Sequence, residues 1–254
     1  MLVQPTLDTL NQLKLYGMAA ALSEQLTQSA AAGLAFEDRL ALLVQREVVH
    51  RENRRLTRLL QLAQFKQRAC LEDIDYRARR GLDRNQLASL ASGDWIRNAQ
   101  NLLVHGATGC GKTFLACALG QQACRQGLSA LYLRAPRLFD ELSVCHADGS
   151  FRKRLAAIAK VDLLLIDDFA IAPMGAPKRN DLLELLDDRI GTRSTLITSQ
   201  LPVKAWHTYL DDPTLADAIL DRVVHSSHKI ELKGRSLRDQ TKPVHDEAKQ
   251  GDQA

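Results

Sequence analysis

One segment constrains the fold of this chain more than any other, because it completes the phosphate-binding pattern G-x-x-x-x-G-K-[ST]. The segment reads Gly106-Ala107-Thr108-Gly109-Cys110-Gly111-Lys112-Thr113. The apolar run Leu102-Leu103-Val104 precedes it and helix-forming residues 114–124 follow it, so a strand ends and a helix begins there. The complete match in this context favours a phosphate-binding loop over an ordinary glycine-rich turn, and it predicts an α/β fold.

Each part of this loop has a chemical task. Its glycines permit backbone angles that turn successive N–H groups toward the β- and γ-phosphates of a nucleotide. Lys112 adds a positive charge for the same oxygens, and the Thr113 hydroxyl can bind Mg²⁺. The dipole of the following helix favours the anion as well. Cys110 fills a free position of the loop.

A second run, residues 161–168, is a continuously apolar strand that ends in two carboxylates. We expect Asp167 to bind Mg²⁺, directly or through water, beside Thr113, and Asp168 to orient and partly deprotonate the attacking water. Acidic residues that merely end a strand are the alternative, which the distance of about 55 residues from a complete phosphate loop disfavours. A further strand, residues 194–200, ends with Ser199 and Gln200, either of which could reach between the γ-phosphate and the water.

The five cysteines predict neither a disulfide framework nor a metal site. Cys110, Cys117 and Cys124 recur every seven residues, which is wider than zinc-ligand spacing, so we expect them to pack in the core. An odd number of cysteines without paired spacing fits a reducing cytoplasm. The sequence contains no run of eighteen apolar residues and no signal peptide at its start, so a cytoplasmic location away from membranes is expected.

Hydrophobic periodicity predicts four regions. Residues 1–70 are expected to be a small helical domain, with one helix over residues 6–30 and a second from Phe36 to about Ala63. Residues 71–100 are expected to be a connector, residues 101–241 an α/β domain, and residues 242–254 a disordered tail. Within the connector, Trp95 and Ile96 could shelter an adenine base or seal the edge of the core.

The positive charge of the chain is concentrated in one segment. Residues 46–84 contain eleven basic and six acidic residues, an excess of five, whereas the net charge of the whole chain is +4. This asymmetry indicates a polyanionic partner, most simply nucleic acid, although a solvated surface would have the same composition. The candidate DNA-binding residues are Arg51, Arg54, Arg55, Arg58, Arg79 and Arg80. A second basic cluster, residues 152–154, lies where cations oppose a helix dipole and also suggests a partner.

Four further stretches resemble the IstB family, the AAA+ ATPase helpers of insertion-sequence transposases, which are similar to the DnaC replicative-helicase loaders. They are Phe169 after the paired aspartates, residues 196–203 with Trp206 close behind, residues 212–222, and residues 230–238. The resemblance covers nearly the whole chain. It implies an AAA+ fold with a five-stranded parallel sheet, ATP-dependent assembly on double-stranded DNA, and stimulation of a transposase encoded beside this protein.

The resemblance also implies roles for individual residues. Residues 106–113 would be Walker A, Asp167 and Asp168 Walker B, and Gln200 or Ser199 sensor 1. Arg222 matches the arginine that one subunit supplies to the ATP site of the next, and Arg238 matches sensor 2. From the sequence alone, Arg222 could equally be a surface residue paired with Asp221 or Asp217. Most AAA+ proteins have glutamate where this chain has Asp168, so we expect slow hydrolysis.

Two other functions share these motifs. A helicase loader would use its N-terminal helices to grip a helicase and its ATPase as a timer, and recovery of a helicase rather than a transposase would identify it. A small-molecule kinase would use the same loop, but the sequence offers no convincing acceptor pocket or lid.

Overall fold

The computed structural model describes residues 3–28, 33–76 and 81–234. The chain forms two compact units, Met1–Gln61 and Leu62–Ala254, which we call the first and second units. The predicted disordered tail, residues 242–254, lies outside the described residues. No helix in the described part of the chain combines the length and the apolar character needed to span a bilayer.

The first unit is helical. It contains α1 (Val3–Gln12), α2 (Tyr16–Thr27) and most of α3 (Phe36–Ala63). The predicted single helix over residues 6–30 is wrong, because the chain breaks at Lys14, whose φ of 60° lies in the left-handed region and ends the helical run. The predicted second helix is confirmed as the 28-residue α3.

Helices α2 and α3 approach each other closely at Gly17. A Cβ atom at this position would lie 2.7 Å from the Arg46 carbonyl oxygen, so only glycine fits. The buried Glu47 carboxylate of α3 accepts hydrogen bonds from the backbone N–H groups of Gly17 and Met18, at 2.7 and 3.1 Å. Glu47 therefore satisfies amides in the first turn of α2 that have no partner within their own helix.

The second unit is built on five parallel strands, as predicted. They are β1 (Asn101–Gly106), β2 (Ala130–Arg134), β3 (Leu163–Phe169), β4 (Ser194–Ser199) and β5 (Ser227–Leu232). Their order in the sheet is β2-β3-β4-β1-β5, and every neighbouring pair is parallel. Because β4 lies between β1 and β3, the carboxyl ends of these three strands form one continuous edge.

Eight helices of the second unit are described beside this sheet. They are α4 (Arg84–Ala91), α5 (Asp94–Arg97), α6 (Lys112–Arg125), α7 (Ala135–Asp148), α8 (Phe151–Ala159), α9 (Ala176–Asp187), α10 (Trp206–Leu210) and α11 (Pro213–Val224). Local sequence explains several starts: a proline lies in the first turn of α7, α9 and α11, and Asp83 and Asp212 cap α4 and α11 with their side chains.

The core is centred on β3. Its residues Leu163, Leu164, Leu165 and Ile166 are fully buried, as expected for a strand covered on both faces. Cys117 and Cys124 of α6 are also buried, which confirms the predicted core packing of this helix. All five cysteines have free thiols.

The buried side chain of Arg189 links the segments that lead into β3 and β4. The Arg189 guanidinium donates hydrogen bonds to the carbonyl oxygens of Ile158, Ala159 and Val161 and to the Thr195 hydroxyl. Burial lowers the pKa of Arg189 to about 9. The charge lies at the C-terminal end of α8, where the helix dipole favours a cation.

The second unit begins at Leu62, so the residues predicted as a connector, 71–100, lie inside it. They include α4 and α5, and the side chains of Trp95 and Ile96 are buried. The Trp95 indole N–H donates a hydrogen bond to the Leu90 carbonyl at 2.9 Å. Trp95 therefore takes the second of its two predicted places, at the edge of the core.

Candidate active site

The phosphate-binding loop connects β1 to α6, and three of its glycines have backbone angles that favour glycine. Gly106, Gly109 and Gly111 have φ values of 153°, 81° and 98°. A Cβ atom at Gly106 would lie 2.2 Å from the Leu232 carbonyl oxygen. Gly111 is the N-cap of α6, so the loop's amides and the positive end of the helix dipole share one anion-binding concavity.

The last two residues of the loop, Lys112 and Thr113, contact different groups. Lys112 Nζ donates hydrogen bonds to the carbonyl oxygens of Gly106 and Ala107, both at 2.8 Å. The Thr113 hydroxyl lies 2.9 and 3.1 Å from the two carboxylate oxygens of Asp167. Although Thr113 and Asp167 are 54 residues apart, they come into contact because β1 and β3 end at the same edge of the sheet, on either side of β4.

Asp167 lies at the centre of a cluster of hydroxyl groups. Besides Thr113, it accepts hydrogen bonds from Tyr132 of β2 and Thr198 of β4, both at 2.5 Å. The Asp167 side chain is almost completely buried. Burial, and then the hydrogen bond to Asp167, raise the pKa of Tyr132, so its hydroxyl remains a donor at neutral pH. Sequence reasoning missed Tyr132 and Thr198.

The chemistry of this cluster fits Mg²⁺. The cation prefers oxygen ligands and takes few of them from protein when a nucleotide supplies phosphates. Asp167 and Thr113 would hold it, and when bound it would neutralise charge on the phosphates. The described residues contain no group of three or more histidine, cysteine, aspartate or glutamate side chains that could form a separate metal cage.

Asp168 has a different environment from its neighbour. It lies in an irregularity of the β3–β4 pairing between Ile166 and Phe169, and its φ is 58°. Its carboxylate accepts a hydrogen bond from Nε of Arg134, at the end of β2, at 2.9 Å, and Nη2 of Arg134 lies 2.8 Å from the same oxygen in an ion pair. Both side chains are partly exposed. Arg134 is a further residue that the sequence reasoning did not single out.

A cavity of about 590 Å³ joins these groups. It is lined by residues 108–115 of the loop and helix, by Arg134 and Asp168, and by Gln200. Residues from the segment predicted as a connector and its flanks also line it, namely Lys66, Gln67, Asp73, Ile74, Asp75 and Leu82. Its volume suits a nucleotide. Trp95 and Ile96 do not line it.

The last residue of β4, Ser199, and the residue after it, Gln200, have different environments. The Ser199 hydroxyl is fully buried, donates to the Phe169 carbonyl at 2.9 Å and accepts from the Leu201 N–H at 3.1 Å. Gln200 lines the cavity. Ser199 does not line the cavity, so of these two residues only Gln200 lies there.

Of the two arginines predicted for the ATP site, only Arg222 is described. Arg222 of α11 binds the Asp187 carboxylate and the Ala218 carbonyl and does not line the cavity, so its predicted alternative partners, Asp221 and Asp217, are wrong. Arg238, Arg79 and Arg80 lie outside the described residues.

Four candidate DNA-binding arginines lie on one exposed side of α3, at positions i, i+3, i+4 and i+7. We call them the arginine face: Arg51, Arg54, Arg55 and Arg58. Arg51 also binds Glu47 at 2.7 Å. In the second basic cluster, Arg154 binds Glu141 at 2.6 Å.

Comparison with solved structures establishes the fold. The chain superposes on the DnaC helicase loader with a TM-score of 0.54 and 17% identity, covering 65% of this chain and 97% of that one. At this identity the likeness shows the shared fold alone. The predicted AAA+ fold, with a five-stranded parallel sheet, flanking helices and a helical N-terminal region, is confirmed.

Sequence comparison identifies the family. The chain is 48% identical over 238 residues to an insertion sequence ATP-binding protein of Sinorhizobium fredii, covering 94% of this chain and 97% of the relative. It is 55% identical over 203 residues to the IS1162 ATP-binding protein of Pseudomonas fluorescens, covering 80% of this chain and 88% of the relative. A family model described as IstB-like ATP binding protein matches residues 8–244. The chain therefore belongs to the family of IstB-like ATP binding proteins.

Proposed function

We propose that this protein is an ATPase that assembles on double-stranded DNA with ATP and stimulates a partner transposase during insertion-sequence transposition. The observation that carries the proposal is the contact between Thr113 of the phosphate-binding loop and Asp167 at the end of β3, beside a cavity of nucleotide size. Membership of an ATP-binding family, with relatives named for insertion sequences, supports the same conclusion.

In this proposal the site hydrolyses ATP with Mg²⁺. The loop amides and Lys112 bind the phosphates, and Thr113 with Asp167 holds the cation. Asp168 orients the attacking water and accepts its proton, and Gln200, which lines the cavity, contacts the γ-phosphate or the water. We expect turnover to be slow, because the Asp168 side chain is one methylene shorter than glutamate and Arg134 already binds it.

The proposal includes an oligomer whose ATP sites lie between subunits. Arg222 does not line the cavity of its own chain, and its side chain is held near the surface of α11. An arginine supplied by a neighbouring subunit can accelerate phosphoryl transfer by about 10³- to 10⁵-fold. Hydrolysis would then depend on assembly, and Arg222 is the residue that we assign to this role.

DNA binding is assigned to the first unit. The arginine face extends over about 10 Å of α3, since the helix rises about 1.5 Å per residue. Its cations can neutralise DNA phosphates, and none of the described features indicates base reading. Binding is therefore expected to be largely independent of sequence and strongly dependent on salt.

A matched pair of double variants tests this surface. Arg54→Gln with Arg58→Gln removes two charges from the arginine face. Arg39→Gln with Arg46→Gln removes two charges from the same helix, where the side chains bind Gln25 and Glu24 of α2. Fluorescence anisotropy over a range of salt concentrations should show a slope of log K against log salt that is smaller by about two for the first pair only. Equal slopes for both pairs would remove the arginine face from the DNA interface.

The partner distinguishes this function from helicase loading. The relatives named for insertion sequences are 48% and 55% identical to this chain, whereas the helicase loader is 17% identical and shares only the fold. The test is affinity purification with a non-hydrolysable ATP analogue and double-stranded DNA. We expect recovery of the transposase encoded beside this protein; recovery of a replicative helicase instead would favour the loader.

A further inference from the structure

Strand β2 contacts both carboxylates at the end of β3. Tyr132 and Arg134 are two residues apart, so their side chains lie on the same face of the sheet. Tyr132 pairs with Leu165 in the strand register, and Arg134 pairs with Asp167. Tyr132 donates its hydroxyl hydrogen to Asp167, and Arg134 forms an ion pair with Asp168 and donates a hydrogen bond to it from Nε. Each carboxylate therefore has its own partner on β2.

Such partners matter because adjacent carboxylates compete for the same ligand. A divalent cation beside Thr113 attracts both Asp167 and Asp168, and a carboxylate that coordinates the cation is a poor proton acceptor. The two residues can perform different tasks only if the protein distinguishes them. The backbone contributes, because the left-handed Asp168 interrupts the regular strand, but the charge on both side chains is the same.

We propose that β2 assigns these tasks: Tyr132 orients Asp167 toward the cation, and Arg134 neutralises Asp168 and keeps it from becoming a second cation ligand. Tyr132 and Arg134 are thus positioning residues for the two carboxylates. The assignment rests on the proposed ATPase function. It adds the two residues that give the metal ligand, Asp167, and the base, Asp168, their different tasks.

The geometry supports a different mode of action for each residue. Tyr132 is buried and reaches one Asp167 oxygen, while Thr198 reaches the other and Thr113 lies near both, so the plane of the carboxylate is fixed. Arg134 is partly exposed and binds a single Asp168 oxygen through two nitrogens, and it also lines the cavity. Removal of the Tyr132 hydroxyl should leave Asp167 less firmly oriented as a cation ligand. Removal of the Arg134 charge should allow Asp168 to become a second cation ligand.

The test is the affinity and stoichiometry of Mn²⁺, used as a paramagnetic probe in electron paramagnetic resonance titrations of the full chain with bound ADP. We expect Tyr132→Phe to weaken Mn²⁺ binding by about tenfold, because loss of a hydrogen bond to a ligand has effects of this size. We expect Arg134→Gln to strengthen Mn²⁺ binding by about threefold to tenfold, because it removes a positive charge beside the site.

Two controls separate this role from general effects. Arg134→Lys keeps the charge and should bind Mn²⁺ as the wild type does. Arg137→Gln removes a charge from an exposed side chain of α7, three residues away, and should also leave Mn²⁺ binding unchanged. Circular dichroism melting curves confirm that each variant is folded.

The outcomes are distinct. Opposite shifts for Tyr132→Phe and Arg134→Gln, with both controls unchanged, support the assignment. Unchanged Mn²⁺ binding in either variant, or an equal increase in Arg134→Gln and Arg137→Gln, overturns it. Failure of the wild type to bind Mn²⁺ with nucleotide would reject the proposed ATPase function itself.

Discussion

Asp168 combines an unusual backbone conformation with a reactive position. Its φ of 58° lies in the left-handed region, which aspartate and asparagine tolerate better than most other residues with a side chain. This conformation interrupts the pairing of β3 with β4 and directs the carboxylate to the cavity. An aspartate at this position, in place of the more usual glutamate, is therefore consistent with the left-handed backbone conformation.

Asp168→Asn tests the chemical task of this residue. Asparagine fits the left-handed conformation and keeps the size of the side chain, but it cannot accept a proton. We expect ATP binding to persist and single-turnover hydrolysis to fall by about 10²- to 10⁴-fold, the range of general base catalysis. Rapid-quench measurement of ADP formation provides the rate. Hydrolysis at the wild-type rate in Asp168→Asn would exclude this carboxylate as the base.

Lys112→Ala is the matched variant for binding. Lys112 is buried and its ammonium group lies on the loop carbonyls, so its loss removes the main side-chain charge for the phosphates. We expect calorimetry to show no tight ATP binding for Lys112→Ala and ordinary binding for Asp168→Asn.

The sequence predicted those site residues whose signal is local. The phosphate-binding loop and the paired aspartates are contiguous motifs, and the structure brings Thr113 and Asp167 together. Tyr132, Arg134 and Thr198 were not predicted, because their contacts depend on the register between strands that are distant in sequence. Nothing within residues 130–134 alone indicates which carboxylate they will face.

At the scale of elements, the contact between α2 and α3 depends on one carboxylate. Burial alone would raise the pKa of Glu47. Hydrogen bonds from Arg51 and from the N–H groups of Met18 and Gly17 together lower the pKa by more than burial raises it, so the pKa is below its ordinary value of 4.5. The charged form of Glu47 is therefore the form that stabilises the first unit.

Glu47→Ala should lower the free energy of unfolding by about 2 kcal/mol at neutral pH, because it leaves one buried and one partly buried amide without acceptors. A lowered pKa in the folded state means that this contribution is complete above pH 4.5 and is lost as the pH falls through the lowered value. Urea unfolding of the wild type and Glu47→Ala should give a difference that shrinks in acid. Glu52→Ala, an exposed position on the same helix, is the control; an equal loss there would contradict the capping role.

Secondary-structure elements could be predicted where the whole element is buried and apolar. A break in a helix that depends only on the backbone conformation of one residue could not. Strands β1, β2 and β3 were predicted from their apolar runs, because parallel strands covered on both faces are continuously apolar. The break between α1 and α2 was not, because Leu13, Lys14 and Leu15 include neither glycine nor proline and continue the apolar pattern of a helix. The left-handed Lys14 has no local signature.

At the scale of the whole molecule, a single chain supplies only part of the proposed site. The phosphate loop, the cation ligands and the base come from one second unit, but Arg222 lies outside its own cavity. If a neighbouring subunit completes the site, the loss of Arg222 from one copy affects the ATP bound by another. The two halves of the site can therefore be removed separately.

The central claim, that hydrolysis requires two adjoining copies, is tested most directly by mixing two inactive variants. Arg222→Ala binds ATP but supplies no arginine, whereas Lys112→Ala supplies the arginine but binds no ATP. In an equal mixture, about a quarter of the interfaces would combine an intact loop with an intact arginine. Steady-state ATP hydrolysis with double-stranded DNA should recover to roughly that fraction of the wild-type rate. A mixture no more active than the two variants measured separately would contradict the account.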